Sequence, residues 1–310
     1  MRKIKYLSVV MTFFFCFSYP VFAKNIDRLT KDASNIIAGK IKKIESFYET
    51  NKWGDTLIMS EVKLKVEKTI KGTLQDDVVF TVEGGRIGDV MLRVSNIPFF
   101  EEGDGIIVYL KKKDNHFIYL DSEKIDVSMG KAKPSPKLSC CKTFSKWPNP
   151  FVSFYVNPNS FDLSQDCITQ QIIAAAENWN EKSGINLHYE GISDRATVNS
   201  SDENVIFFRD DPSGSTIAVT YIWYTKKNGI TAFDMVFYDS WAYFDLSGNC
   251  SAGCNTGFYL QTIAAHELGH AIGLDHNRCA TSIMYPYASY CDSDILSGED
   301  EACVQSLYGN

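Results

Sequence analysis

The chain has 310 residues, of which 45% are hydrophobic and 22% are charged, a composition typical of globular domains with sizeable cores. Collagen, coiled coil and wholesale disorder are therefore excluded. Lys and Arg number 31 against 38 Asp and Glu, which gives a formal net charge of −7. This acidic balance, with no basic stripe in the sequence, argues against nucleic acid as a partner.

The first 23 residues have the pattern of a secretory signal peptide. Arg2, Lys3 and Lys5 precede an apolar run, and the segment ends at Ala23 on a small-residue cleavage signature. The run is short for a membrane anchor, and no later stretch has the length of a span, so we expect no stable membrane insertion of the mature chain. We expect export, either to a periplasm or to the outside of the cell.

The cysteines divide the mature chain into two parts. An even number of cysteines in an exported chain indicates disulfides, but the spacing does not give their pairing. A basic, proline-broken stretch at residues 131–137 precedes them and has the composition of a linker. We therefore predict a β-rich domain over residues 24–130, a linker over 131–146 and a second domain over 147–310. The eight cysteines of the mature chain all follow residue 139: Cys140, Cys141, Cys167, Cys250, Cys254, Cys279, Cys291 and Cys303.

Residues 24–130 alternate as strands do. Val62, Leu64 and Val66 are separated by charged residues, and glycine-containing turns separate the later apolar runs. This pattern predicts a small all-β barrel or sandwich, and it contains no catalytic constellation. The further runs lie at residues 78–82, 90–94, 106–110 and 117–120.

Residues 147–310 mix helical and strand patterns, which predicts an α+β domain. Ser164 is placed to cap a helix that ends near Gly184, and a second helix is predicted over residues 258–272. Strands are predicted at residues 152–156, 185–189, 205–209, 217–224 and 233–238.

The second predicted helix carries residues suited to metal chemistry. His266 and His270 are four residues apart, so both imidazoles lie on one helical face and can bind one zinc ion. Glu267 follows the first histidine, where its carboxylate can reach a zinc-bound water as a general base. Gly273 can end the helix in a left-handed conformation and return His276 as a third ligand.

Three protein ligands would leave a fourth position of zinc open, which is typical of a catalytic site. The chain has five histidines, and three lie in this motif. His116, in a polar turn, and His188, in a strand pattern, are interpreted as residues without a role in the site.

The motif, followed by Met284 and Pro286, resembles the zinc signature and Met-turn of the metzincins, and within them the matrixins. The resemblance extends from about Trp147 to Gly309. It implies a twisted mixed sheet with an active-site helix, one catalytic zinc ion and Met284 as an apolar floor beneath the imidazoles. It also implies that Pro286 and Tyr287 line the substrate pocket, although their segment departs from the matrixin pattern.

Other departures concern the supports of the fold. Matrixins of animal tissues bind a second, structural zinc, and this sequence has too few histidines for that site. We expect disulfides to take over its role, and we favour a bridge between Cys279 and Cys291 around the Met-turn. The resemblance makes calcium a further candidate ion, without a spaced loop motif to support it. Its candidate ligands are Asp210, Asp211, Asp234 and Asp239.

The implied activity is that of a secreted zinc endopeptidase, in which Glu267 takes a proton from zinc-activated water that attacks a peptide bond. Its partner would be a protein or peptide substrate, and we expect a monomer. The alternative is a secreted binding or adhesion protein on a metzincin scaffold. The N-terminal domain is open to three interpretations: an independent binding module, a steric cover over the cleft, or the carrier of a switch in which Cys140 or Cys141 binds the zinc.

Overall fold

A computed structural model describes most of the chain. The predicted signal peptide, most of the predicted linker and Cys250, Cys254, Cys291 and Asp211 lie outside the described residues. The residues that the structure describes are 26–74, 76–114, 116–125, 140–160, 163–201, 203–210, 216–244, 257–288 and 296–309.

The N-terminal part is built from a short helix and seven strands. Five of them form a closed barrel in the order β1-β2-β3-β7-β6. The barrel explains the alternation of apolar and charged residues in the sequence. Val62 and Leu64 are fully buried inside it, while Lys63 and Lys65 are exposed. The elements are α1 (Ile26–Asp32), β1 (Asn35–Thr50), β2 (Thr56–Lys71), β3 (Val78–Glu83), β4 (Gly85–Ile87), β5 (Val90–Val94), β6 (Gly105–Lys113) and β7 (His116–Ile125).

The C-terminal part has an α+β arrangement around a larger sheet. Ser164 caps α2 by accepting a hydrogen bond from the Cys167 amide, and Tyr259 is still extended before α3 begins at Leu260. The elements are β8 (Phe151–Asn157), α2 (Gln165–Asn180), β9 (Asn186–Ile192), β10 (Val205–Arg209), β11 (Ala218–Thr225), β12 (Gly229–Tyr238), β13 (Ala242–Phe244), β14 (Gly257–Tyr259), α3 (Leu260–Ala271) and α4 (Gly298–Tyr308).

The larger sheet contains strands from both parts of the chain. Its order is β4-β5-β11-β12-β10-β8-β9, in which β12, β10, β8 and β9 run parallel and β11 antiparallel to β12. β5 continues the sheet on the free side of β11, again antiparallel. The two parts are therefore joined by main-chain pairing.

The two faces of this sheet are covered by different parts of the chain. Helices α2 and α3 pack on one face, where the fully buried Trp179 donates from its indole N–H to the Ala265 carbonyl at 2.8 Å. On the other face, Leu57 and Ile58 of the barrel hairpin pack into one apolar cluster with strands of the sheet. This cluster gives the barrel and the sheet a shared core.

A buried ion pair lies beside the shared core. The Arg209 guanidinium donates to both oxygens of Asp55 at 2.8 and 3.0 Å, and both side chains are nearly inaccessible to solvent. Asp55 also accepts from the Val198 amide at 2.7 Å. The tip of the β1–β2 hairpin is thereby bonded to the C-terminal part of the chain.

Two disulfides attach the start of the C-terminal part to its far end. Cys140 is bonded to Cys279 and Cys141 to Cys303. The predicted bridge between Cys279 and Cys291 is therefore wrong. Cys279 pairs with Cys140 because residues 140–144 run beside the chain that follows α3, where the Phe144 amide donates to the Gly273 carbonyl at 3.0 Å.

Candidate metal centre and active-site cleft

Helix α3 and the turn after it bring three histidines together. His266 and His270 lie on α3, and Gly273 then takes a φ of +102°, which turns the chain so that His276 faces the same point. A Cβ at Gly273 would lie 2.0 Å from the Ser145 carbonyl oxygen, so only glycine fits here. Among the described residues, these histidines form the one cluster of His, Cys, Asp or Glu suited to a metal ion.

The ring nitrogens of the three histidines converge. Nε2 of His266 lies 3.2 Å from Nε2 of His270 and 3.1 Å from Nε2 of His276. Tetrahedral zinc with Zn–N bonds of about 2.0–2.1 Å separates its nitrogen ligands by about 3.3–3.4 Å. The nitrogens therefore have nearly the spacing that zinc requires.

Backbone carbonyls orient two of the rings. Nδ1 of His266 lies 2.6 Å from the Ile283 carbonyl oxygen, and Nδ1 of His270 lies 2.9 Å from that of Leu274. A carbonyl oxygen only accepts, so each Nδ1 carries the ring proton and each Nε2 presents a lone pair to the common centre.

The electrostatics of the centre also favour neutral ligands. Burial and the neighbouring imidazoles hold the pKa of His270 well below its usual value. Burial together with the positive charge of nearby groups does the same to the pKa of His276. Both rings are therefore neutral near pH 7, which is the form that binds a metal ion.

Glu267 makes a buried polar contact while lining the same cleft as His266 and His276. Its Oε2 accepts hydrogen bonds from the Thr220 hydroxyl at 2.7 Å and from the Ser95 hydroxyl at 3.1 Å. Burial raises the pKa of the Glu267 carboxyl above its usual value, against the lowering effects of His266 and of these hydroxyls. One oxygen of the carboxylate is thus fixed by Thr220 of β11 and by Ser95, the residue after β5.

Met284 lies directly under the metal-binding helix. A Cβ on Gly269 would approach the Met284 sulfur to 2.3 Å, so this glycine allows the turn and the helix to touch. Met284 is buried and packs against the helix as an apolar side chain, so it supports the site without binding the metal.

Helix α4 holds this turn in place, a role that the predicted site did not include. Asp300 accepts from the Ile283 amide at 2.8 Å and from the Ser282 hydroxyl, and it closes a capping box with Ser297. The signal for Asp300 was present, because Ser297 and Asp300 have the spacing of a capping box. Thr220 also had a signal, as a polar residue within an apolar strand, whereas Ser95 had none.

A cleft with a volume of about 1260 Å³ lies in front of the histidines. Pro286 and Tyr287 line it together with Tyr285, and the two tyrosine rings meet edge to face at 5.4 Å. Residues 120–124 of β7, a strand of the barrel, line the same cleft. The cleft therefore lies between the two parts of the chain.

The calcium candidates Asp234 and Asp239, and His188, which was predicted to have no role in the site, make other contacts. Asp234 is fully buried and bonded to Arg195, at 2.6 and 2.7 Å from its guanidinium nitrogens, and to two backbone amides. Asp239 accepts from the Ser160 hydroxyl at 2.7 Å. His188 lies against the ring of Phe151, 5.4 Å between centroids.

The thiol switch is contradicted by the structure. Cys140 and Cys141 are both in disulfides, so neither offers a thiolate to the metal centre. Their bridges instead bind the segment before β8 to the Met-turn region and to α4.

This arrangement defines a metzincin: two histidines on a helix, a third beyond a glycine turn, and a methionine turn below them. The chain belongs to the matrixin family, whose model matches residues 146–309.

Curated proteins of this family are similar to the chain. The hatching enzyme of Paracentrotus lividus is 27% identical over 237 residues, which are 74% of this chain and 37% of that protein. Stromelysin-1 of Equus caballus is 29% identical over 198 residues, 61% of this chain and 39% of that protein. Matrix metalloproteinase-9 of Canis lupus familiaris is 43% identical over 53 residues, 17% of this chain and 8% of that protein. The chain thus spans well under half the length of these relatives.

Proposed function

We propose that the protein is a secreted zinc endopeptidase that cleaves peptide bonds with Glu267 as general base. The observation that carries the proposal is the convergence of three histidine Nε2 atoms, two of them on rings fixed by backbone carbonyls, beside a buried carboxylate on the same helix. Membership of the matrixin family supports it.

The histidines fit one zinc ion as neutral nitrogen ligands. His266, His270 and His276 would hold the ion, and a zinc ion in this setting lowers the pKa of water to about 7 and polarises a carbonyl group. Glu267 would accept the proton of the attacking water and deliver it to the leaving amine. Thr220 supports this role, because its hydroxyl fixes the orientation of the carboxylate.

The substrate would be a protein or peptide that enters the cleft between barrel and sheet, with Pro286 and Tyr287 at its wall. Calcium binding stays a prediction; the contacts of Asp234 with Arg195 leave that carboxylate engaged elsewhere. We also keep the prediction of a monomer.

Export through a signal peptide at residues 1–23 remains part of the proposal. The disulfides support it, because such bonds persist in oxidising compartments. None of the helices in the described part of the chain combines the length and apolar character that crossing a membrane requires.

The test compares Glu267→Gln with the wild-type chain. We expect one zinc per chain in both proteins by elemental analysis, and at least about a 100-fold slower hydrolysis of casein in the variant, because the proton acceptor is lost. Glu299→Gln, on the exposed face of α4, is the matched control and should cleave at the wild-type rate.

Two results would overturn the proposal. One is unchanged turnover by zinc-loaded Glu267→Gln. The other is a folded wild-type chain that binds zinc and cleaves no protein or peptide under any activating condition, which would leave the binding or adhesion protein as the better interpretation.

A further inference from the structure

Strand β11 has one side on which the described residues of the C-terminal part supply no partner strand. Its other side pairs with β12, and β11 carries Thr220, which touches Glu267. A free sheet edge binds extended peptides by adding them as a further strand. The side of β11 beside the general base is therefore the natural position for an extended peptide.

In the full chain this position is occupied by residues 90–95. Val94 pairs with Tyr221 and Val90 with Thr225, antiparallel to β11. The pairing continues for one more residue, because the Ser95 amide donates to the Thr220 carbonyl at 2.9 Å. The chain then turns away from the sheet, since the Ile97 amide bonds back to the Val94 carbonyl.

The last residue of this segment reaches the general base. Ser95 is buried, donates from its hydroxyl to Glu267 Oε2 and accepts from the Thr220 amide at 2.9 Å. A hydroxyl that donates to the base occupies the kind of contact that an attacking water would make.

The segment is bound through side chains as well as through the main chain. Leu92 is fully buried and Val94 nearly so, both within the apolar cluster shared with β11 and β12. The Arg93 guanidinium lies 2.8 Å from the carboxylate of Asp275, which directly precedes the third histidine. Three kinds of contact thus bind the segment at the catalytic centre.

We propose that residues 90–95 are an intramolecular inhibitor, which lies on the substrate edge of β11 and must leave it before a peptide can bind there. This inference rests on the proposed peptidase function. It assigns the N-terminal part of the chain the role of a steric cover that acts by strand addition, without a thiol.

The first experiment measures binding without turnover. All proteins are full chains with Glu267→Ala, and the probe is a fluorescein-labelled peptide with the sequence of residues 90–98. Leu92→Ala removes an anchor of the segment, and Leu64→Ala is the matched control, because it is equally buried but lies in the barrel core. We expect the probe to bind at least tenfold more tightly to Leu92→Ala than to Leu64→Ala or to the parent chain.

Hydrogen exchange reports whether the edge is free. The amides of residues 222 and 224 face β5, because antiparallel pairing alternates from the bonded pair of Ser95 and Thr220. They should exchange at least tenfold faster in Leu92→Ala than in the control, while the amides of α3 stay protected. Leu92→Asp is the stronger variant, because it places a carboxylate in an apolar cluster. If exchange at residues 222 and 224 does not rise even there, the segment is a permanent strand of the sheet and the proposal fails.

The remaining outcomes separate this proposal from the proposed function. If hydrogen exchange shows that the edge of β11 is free and the probe still does not bind, the inhibitor role is overturned. With Glu267 intact, Leu92→Ala should hydrolyse a fluorogenic peptide at least tenfold faster than Leu64→Ala. Probe binding without hydrolysis in any variant would contradict the peptidase function and leave the occupied edge as described.

Discussion

The two disulfides beside each other at residues 140 and 141 should stabilise the fold in a coupled way. Taken alone, the bridges close loops of 139 and 162 residues. Loop-closure entropy for such lengths corresponds to about 5 kcal/mol of stability at 25 °C. With one bridge intact, however, the other closes a much shorter path.

The shorter path runs from Cys279 to Cys303 and across the peptide bond between Cys140 and Cys141, a loop of about 25 residues that corresponds to about 3.5 kcal/mol. We therefore expect either pair of Cys→Ala substitutions to lower the free energy of unfolding by about 3.5 kcal/mol. Loss of both bridges should lower it by about 8.5 kcal/mol, which exceeds the sum of the single losses by about 1.5 kcal/mol.

The assay is guanidinium unfolding at fixed zinc concentration without reductant, followed by tryptophan fluorescence. Trp179 reports on the packing of α2 against α3. Strictly additive losses would show that the two loops are independent and would refute the path argument. Unchanged midpoints would show that loop closure is not the source of the stabilisation.

Three further predictions concern single positions. Gly273→Ala, at a φ of +102°, should cost about 2 kcal/mol or more and weaken zinc binding measured by competition with a chelator, whereas Gly298→Ala, with open space around it, should not destabilise the chain. Arg209→Met should lower the free energy of unfolding in urea by about 3–5 kcal/mol, because Asp55 stays buried without its cation. Adding Asp55→Asn should restore part of this stability, and an equal or larger loss in the double variant would contradict the argument. Burial raises the pKa of the Glu83 carboxyl beside Tyr221, so protonation of Glu83 stabilises the folded state. This stabilisation is lost as the pH rises from about 4.5 through the raised pKa, and Glu83→Gln should flatten the resulting decrease of the melting temperature with pH. An unchanged decrease would exclude Glu83 as its source.

Local patterns in the sequence were sufficient for the elements that bear the site. The spacing of His266 and His270 needs only one helix, and Gly273 supplies the turn to His276 within the same stretch of chain. The five short strand patterns predicted in residues 24–130 lie within strands of the structure; four are in the barrel and the fifth, residues 90–94, is β5 of the larger sheet.

Long-range pairing could not be predicted in this way. β1 is mixed in character, with exposed residues along half of its length, and carries no clear period. The membership of β5 in the larger sheet depends on a partner strand more than 120 residues later, as do the contacts of Ser95 with Glu267. The disulfide pairing depends on the bridge between Thr143 and Leu274, which no spacing of cysteines reveals.

The position of β5 also matters while the chain is being made. The N-terminal barrel leaves the ribosome first, so β5 is available when β11 is synthesised. An unpaired strand edge rich in apolar residues is a template for aggregation. β11 has such a composition, and β5 satisfies its main-chain groups as soon as the two strands meet. β5 can therefore act as a folding template for the catalytic sheet, and a chain shortened to residues 140–310 should yield less soluble protein than the full chain.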